Sequence, residues 1–302
     1  MVKTQSIIKW VGGKSQIIDR VLDSFPSEIN NYHEPFIGGG SVLLALLSSN
    51  KNIRGKIRVN DINTCLIQMY KDIQSSPEEL ILELEKVCAE YFDCPSSGEL
   101  VKKADDISKF ASRETYYYWV RQRFNDIRQT PSLTTSALFI FLNKTGFRGM
   151  YREGPNGFNI PYGNYKKPEI YNKGDILNMS RLIKDVEFHN LSYEEFLTNI
   201  VKGDFVYLDP PYALETKTSF VGYNKCGFGA EQQNRLFELC HDFVHNKVAF
   251  AMSNSDVPII KENFPEDTFV INTIECRRSI NSKNPGSKAM EVIITPRNYL
   301  NM

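Results

Sequence analysis

The chain has 302 residues, 41% of them hydrophobic, with 36 basic and 36 acidic side chains that cancel to a formal net charge of zero. That length suits one large catalytic domain with a smaller inserted one, and the apolar fraction is enough to bury a substantial core. No apolar run approaches the roughly 20 residues that span a bilayer, residues 1–5 carry no signal-peptide hydrophobic core, and six cysteines with four histidines form no Cys-x-x-Cys pair. A membrane span, a disulfide scaffold and a zinc site are therefore not expected, and a reducing cytoplasmic setting is.

The zero balance hides local polarity. Residues 78–106 carry nine acidic against three basic side chains, the pattern of a solvated helical face. Residues 113–167 carry nine basic against three acidic, interleaved with aromatics, which suits phosphate contact and base stacking.

Ile7-Ile8-Lys9-Trp10-Val11-Gly12-Gly13-Lys14 comes first in the chain. Gly12 and Gly13 let backbone approach a ligand closely. Trp10 is a candidate to pack on a cofactor and Lys14 to pair with a carboxylate; a core Trp and a surface Lys are the plain alternative. A helix is predicted from residue 15, with Ile17, Ile18, Val21, Leu22 and Phe25 on one face and Pro26 ending it.

Tyr32-His33-Glu34-Pro35-Phe36-Ile37-Gly38-Gly39-Gly40-Ser41 then reads as strand end, glycine turn and helix start, a form that lets a ligand press against a helix N-terminus. A strand over 56–60 ends in Asp61, placed to accept hydrogen bonds from ribose hydroxyls or to cap the helix that follows. Helices are predicted over 66–86, broken at Pro77, and over 114–127. A third, over 133–143, is apolar all round and so buried.

Residues 143–168 are irregular and glycine-rich, and 186–193 reads as another strand. The run Phe205-Val206-Tyr207-Leu208 is a short buried strand that delivers Asp209-Pro210-Pro211-Tyr212 at its carboxyl end, where open α/β sheets place ligands. Two prolines stiffen the backbone there. The Asp209 carboxylate and Pro210 carbonyl are two acceptors beside the flat Tyr212 ring, a set that suits a planar base bearing an amino group. A proline-stiffened turn with an exposed Asp is the alternative. A loop over 220–228, a helix over 232–246 and strands over 248–254, 269–276 and 291–295 complete the chain, with a basic loop from Arg277 between the last two strands.

Lys-Trp-x-Gly-Gly-Lys, Glu-Pro-Phe-x-Gly-Gly-Gly, Asn-Asp-Ile-Asn and Asp-Pro-Pro-Tyr, in that order, resemble the Dam-type, α-group DNA adenine-N6 methyltransferases along nearly the whole chain. The resemblance implies an α/β fold: a Rossmann-like, seven-stranded S-adenosylmethionine-dependent methyltransferase sheet with an inserted, mainly helical DNA-recognition domain. The catalytic domain would comprise 1–68 and 172–302, and the recognition domain 69–171. Catalysis would rest on Asp209, Pro210 and Tyr212. S-adenosylmethionine would meet Trp10, Lys14, Phe36, Gly38, Gly40, Asp61, Tyr193 and Asp209.

Double-stranded DNA would meet Lys144, Arg148, Met150, Arg152, Pro161, Tyr223, Arg277 and Arg278, with Arg152 reading guanine. Arg148 and Met150 stand where members that modify GATC have Asn and Leu, so the target is GATC or a related motif. A separate restriction endonuclease acting on the same site is a further candidate partner. A catalytically silent DNA-binding module, or transfer to cytosine N4, is the rival reading.

Overall fold

The computed structural model describes residues 5–213, 228–277 and 288–297. The chain divides into two compact units. One comprises Lys14–Ile37, Ala45–Ile62 and Asp185–Met302, the other Met1–Gly13, Gly38–Leu44 and Asn63–Lys184. Among the described residues, no helix is long and apolar enough to cross a membrane.

The first unit is built on a seven-stranded sheet. Its strands are β1 (Tyr32–Glu34), β2 (Ile57–Asn60), β3 (Val186–His189), β4 (Phe205–Leu208), β5 (Ala249–Ser255), β6 (Phe269–Arg277) and β7 (Lys288–Pro296), in the spatial order β6-β7-β5-β4-β1-β2-β3. The five strands from β3 to β5 in that order are parallel, and β7 runs antiparallel to both of its neighbours. The strand order reverses between β1 and β4. In an open α/β sheet, the crevice outside the carboxyl ends at such a reversal is the ligand site.

Burial explains the strand sequences. β4 is buried at all four positions, so it reads as an unbroken apolar run, whereas edge strand β3 alternates buried and half-buried residues. The helix Ala230–His245 buries Leu236, Phe237, Cys240 and Phe243 in a core shared with Phe250, Met252, Val292 and Ile294. Leu239, expected on the same face, packs at its margin.

Two elements differ from expectation for local reasons. The first helix covers only Ile18–Asp23, because Ile17 supplies no side-chain cap and residues 15–17 form turns. The strand expected over 186–193 stops at His189. Ser192 then forms a capping box with Glu195 and starts the helix Tyr193–Phe196.

At the amino end of β4, buried Asp204 accepts hydrogen bonds from Asn31 (2.7 Å) and Asn30 (3.2 Å) and lies 3.2 Å from His33 Nε2. Burial pushes the His33 imidazole below its ordinary pKa, and the Asp204 charge opposes that shift.

The second unit is mainly helical. Asn63, Ser112, Ser132 and Asn172 cap the helices Thr64–Ser75, Arg113–Ile127, Leu133–Thr145 and Lys173–Leu182. Pro77 opens the helix Pro77–Asp93, so the expected break falls there. Leu133–Thr145 is buried nearly all round and packs against the three helices that precede it.

Beyond Leu133–Thr145 lies a short antiparallel hairpin, Glu153–Gly154 with Gly157–Phe158. Buried Asn143 ties the base of this segment to the N-terminal stretch. Its side chain accepts from Lys9 N–H (2.8 Å) and donates to the Lys9 (2.8 Å) and Gly149 (3.0 Å) carbonyls.

Asn143→Ala strands the buried Gly149 carbonyl and two partly buried Lys9 backbone groups, so we expect a loss of roughly 2–3 kcal/mol, read as a lower urea midpoint for the full chain.

Candidate active site

Parallel pairing of β1 with β4 brings their carboxyl ends together, and Asp209 follows β4 directly. Lys14 Nζ lies 2.7 Å from Asp209 Oδ1, with the lysine side chain 2% exposed and the aspartate 19%. Burial raises the Asp209 pKa above the ordinary carboxylate value, while the Lys14 charge and hydrogen bond oppose the rise. The same ammonium lies 4.9 Å from the centroid of the Tyr212 ring. The Tyr212 hydroxyl, at the ring edge, donates to Glu291 Oε2 on β7 (2.8 Å).

The turn is also held at its exit. Ala213 N–H donates to Asn254 Oδ1 (3.0 Å), and the Ala213 carbonyl accepts from Ser255 Oγ (2.5 Å), both at the end of β5. Pro210 is buried within this clamp. The expected catalytic set Asp209, Pro210 and Tyr212 is thus one rigid turn with Lys14 beside it.

Glu34 closes β1 and is buried, its Oε2 accepting from the Tyr32 hydroxyl at 2.8 Å. Burial pushes its pKa up to about 8, and the nearby Asp209 and Asp61 charges add to the rise. Sequence reasoning quoted Glu34 in a motif but gave it no role. A carboxylate inside an apolar strand end was the available signal. Glu291 and Asn254 were missed because only the sheet order brings β7 and β5 to this turn.

A second cluster lies at the ends of β1 and β3. Phe36, Tyr193 and Phe228 pack ring to ring at 5.6–5.7 Å, and the Tyr193 hydroxyl donates to the Gln232 carbonyl at 2.9 Å. Phe228 was not among the expected residues. Half-buried Asp61 follows β2, and its carbonyl accepts from Asn190 at 2.8 Å. The cap of the next helix is Asn63, not Asp61, because Asn63 Oδ1 accepts from Leu66 N–H at 3.0 Å.

In the helical unit, Gly38 and Gly40 have φ of +47° and +72°. A Cβ on Gly38 would lie 2.7 Å from the Trp10 ring, and one on Gly40 would lie 2.6 Å from the Tyr70 hydroxyl. These glycines are required by protein side chains pressing on the turn. Trp10 itself stacks on Tyr151, with ring centroids 5.7 Å apart.

Lys144 lies in the last turn of the helix Leu133–Thr145, and Arg148, Met150, Arg152 and Pro161 lie in the irregular segment that follows it. Arg148, Arg152 and Pro161 are exposed, and Lys144 and Met150 are half-buried. Burial, then the Lys9 charge, lowers the Lys144 pKa. Arg148 adopts φ 57°, and its N–H donates to the Tyr165 hydroxyl at 2.9 Å. Arg152 Nε donates to Asn159 Oδ1 across the hairpin at 2.7 Å. Tyr223 and Arg278 lie outside the described residues, and Arg277 is the last residue of β6.

A mostly parallel sheet carrying a clamped Asp-Pro-Pro-Tyr turn at its reversal point defines a Rossmann-like methyltransferase. Residues 10–280 match the family of D12 class N6 adenine-specific DNA methyltransferases, and the chain belongs to that family. Among its relatives is a type II methyltransferase of Methanocaldococcus jannaschii, 32% identical over 95% of this chain and 96% of the relative. A type II methyltransferase of Lactococcus lactis subsp. cremoris is 32% identical over 99% of this chain and 97% of its own. The DNA adenine methylase of Escherichia coli K12 is 26% identical over 97% and 95%.

With a folded pKa of about 8 against an ordinary 4.5, Glu34 favours the folded chain when protonated; that contribution is complete below about pH 4.5, falls as pH rises and is gone above about 8. Glu34→Gln keeps the neutral form. We expect thermal melts of the variant to be flatter than wild type between pH 5 and 9, with the difference greatest at the alkaline end.

Proposed function

We propose that this chain transfers the methyl group of S-adenosylmethionine to N6 of an adenine turned out of duplex DNA at a short site. The observation that carries this reading is the clamped turn at the carboxyl end of β4, where a half-buried, lysine-paired carboxylate, a proline carbonyl and a fixed aromatic ring stand together.

The chemistry needs such an arrangement. The N6 lone pair of adenine is delocalised into the ring, and in a duplex the atom is out of reach. Turning the base out costs a few kcal/mol, offset by stacking and hydrogen bonds in the pocket. Tyr212 supplies the stacking face. Lys14 engages Asp209 Oδ1, so Oδ2 is the oxygen aimed at the amino group, with the Pro210 carbonyl as the second acceptor. Two acceptors on the N6 hydrogens draw the lone pair out of conjugation, and they are in place before charge develops.

The residues present fit S-adenosylmethionine, which supplies an electrophilic methyl on sulfur. In this reading Asp61, at the end of β2, accepts from ribose hydroxyls, and the Phe36, Tyr193 and Phe228 cluster meets a flat base.

In this reading residues 1–68 with 172–302 serve as the catalytic part and residues 69–171 as the DNA-recognition part. The hairpin segment reads the target. With Arg152 Nε held by Asn159, its terminal nitrogens suit guanine O6 and N7. Lys144, Met150 and Pro161 complete the reading surface, with Tyr223, Arg277 and Arg278 as further DNA contacts. Arg148 and Met150 decide whether the target is GATC or a relative of it. A restriction endonuclease sharing that target is the partner this reading allows.

The test is methylation of a plasmid library by the purified chain with S-adenosylmethionine, read by modified-base sequencing. N6-methyladenine confined to one short motif is the expected result, and its absence would overturn the reading. Asp209→Ala should abolish labelled methyl transfer while leaving DNA retention in gel shifts within severalfold of wild type. Arg152→Ala should relax discrimination at one base, costing about 1–3 kcal/mol of selectivity, scored by the same sequencing.

A further inference from the structure

Tyr212 is fixed from two directions by residues that no motif names together. Its backbone follows Pro210 and Pro211 and is stiff, but two side-chain rotations would still swing the ring. The hydroxyl donates to Glu291 Oε2 at 2.8 Å. Glu291 is itself a fixed post: on β7 it pairs with Ser255 of β5 on one side and Ile274 of β6 on the other. One side of the ring is taken by Lys14 Nζ, 4.9 Å from the centroid, and that ammonium is held by Asp209 at 2.7 Å.

We propose that Glu291 is a positioning residue that fixes the plane of the Tyr212 ring and, with Lys14, leaves a single face for the acceptor base. The inference rests on Tyr212 being the base platform. It assigns Glu291 no contact with base or cofactor. Its effect passes through the phenol hydrogen bond, so losing either end of that bond has the same consequence.

The experiment uses the full chain with Glu291→Ala, Glu291→Gln, Tyr212→Phe, the Glu291→Ala/Tyr212→Phe double variant and Tyr212→Ala. Readouts are kcat and KM on a duplex carrying the mapped site, the fluorescence rise of 2-aminopurine at the target position, and the S-adenosylmethionine Kd. Glu291→Ala and Tyr212→Phe should each lower kcat/KM about tenfold and cut the 2-aminopurine signal, with cofactor Kd within twofold of wild type. The double variant should be no worse than either single, because one bond is lost in all three. Glu291→Gln should recover most activity, since its amide oxygen still accepts.

Wild-type kinetics and fluorescence in Glu291→Ala, losses that multiply in the double variant, or a Gln variant as impaired as Ala would each overturn the proposal. If Glu291→Ala does not fold, Tyr212→Phe breaks the same bond without touching β7, and wild-type behaviour there overturns it equally. Tyr212→Ala separates the two readings. A normal Tyr212→Ala enzyme would remove the platform itself, whereas an impaired one beside normal Glu291→Ala and Tyr212→Phe would remove only the role of Glu291.

Discussion

A carboxylate at the buried end of a central parallel strand is expensive to ionise, and the site is arranged around keeping one there. Burial raises the Asp209 pKa, and Lys14, itself 2% exposed, opposes the rise from 2.7 Å. Removing either partner would leave an uncompensated buried charge. The pair does more than neutralise. Lys14 occupies one carboxylate oxygen and one side of the Tyr212 ring, so the charge balance also fixes how the two side chains sit.

The sheet supplies the rigidity that this arrangement needs. Its reversal between β1 and β4 opens the crevice, and β5 and β7 reach across to grip the turn at Ala213 and Tyr212. Beside Asp209, Glu34 shows the opposite solution to the same problem. With a pKa of about 8 it stays protonated at neutral pH and accepts from Tyr32 within the core. Two carboxyl groups at neighbouring strand ends are thus separated in role by one lysine.

The helical unit follows a different rule. Its irregular segment buries little backbone in regular structure, so side chains satisfy the carbonyls instead. Asn143 holds Lys9 and Gly149, Tyr117 and Arg121 reach the Ile160 carbonyl, and Asn125 pairs with both Phe158 backbone groups. Exposed Arg148 and Arg152 are therefore carried on a braced scaffold.

Much of this was legible in the chain itself. Phe205–Leu208 announces a central strand because parallel strands are buried on both faces, and the two prolines of Asp209-Pro210-Pro211-Tyr212 announce a stiff turn at its end. The all-apolar helix and the break at Pro77 were equally local. What tertiary structure alone decided is who meets that turn. Lys14, Asn254, Ser255 and Glu291 come from remote stretches; strand order and register bring the last three within hydrogen-bond reach, and Lys14 arrives from the segment before the first helix. It also decided why Gly38 and Gly40 are glycines. The atoms that exclude a Cβ belong to Trp10 and Tyr70, and such an exclusion is a property of packed space, which no spacing along a chain encodes.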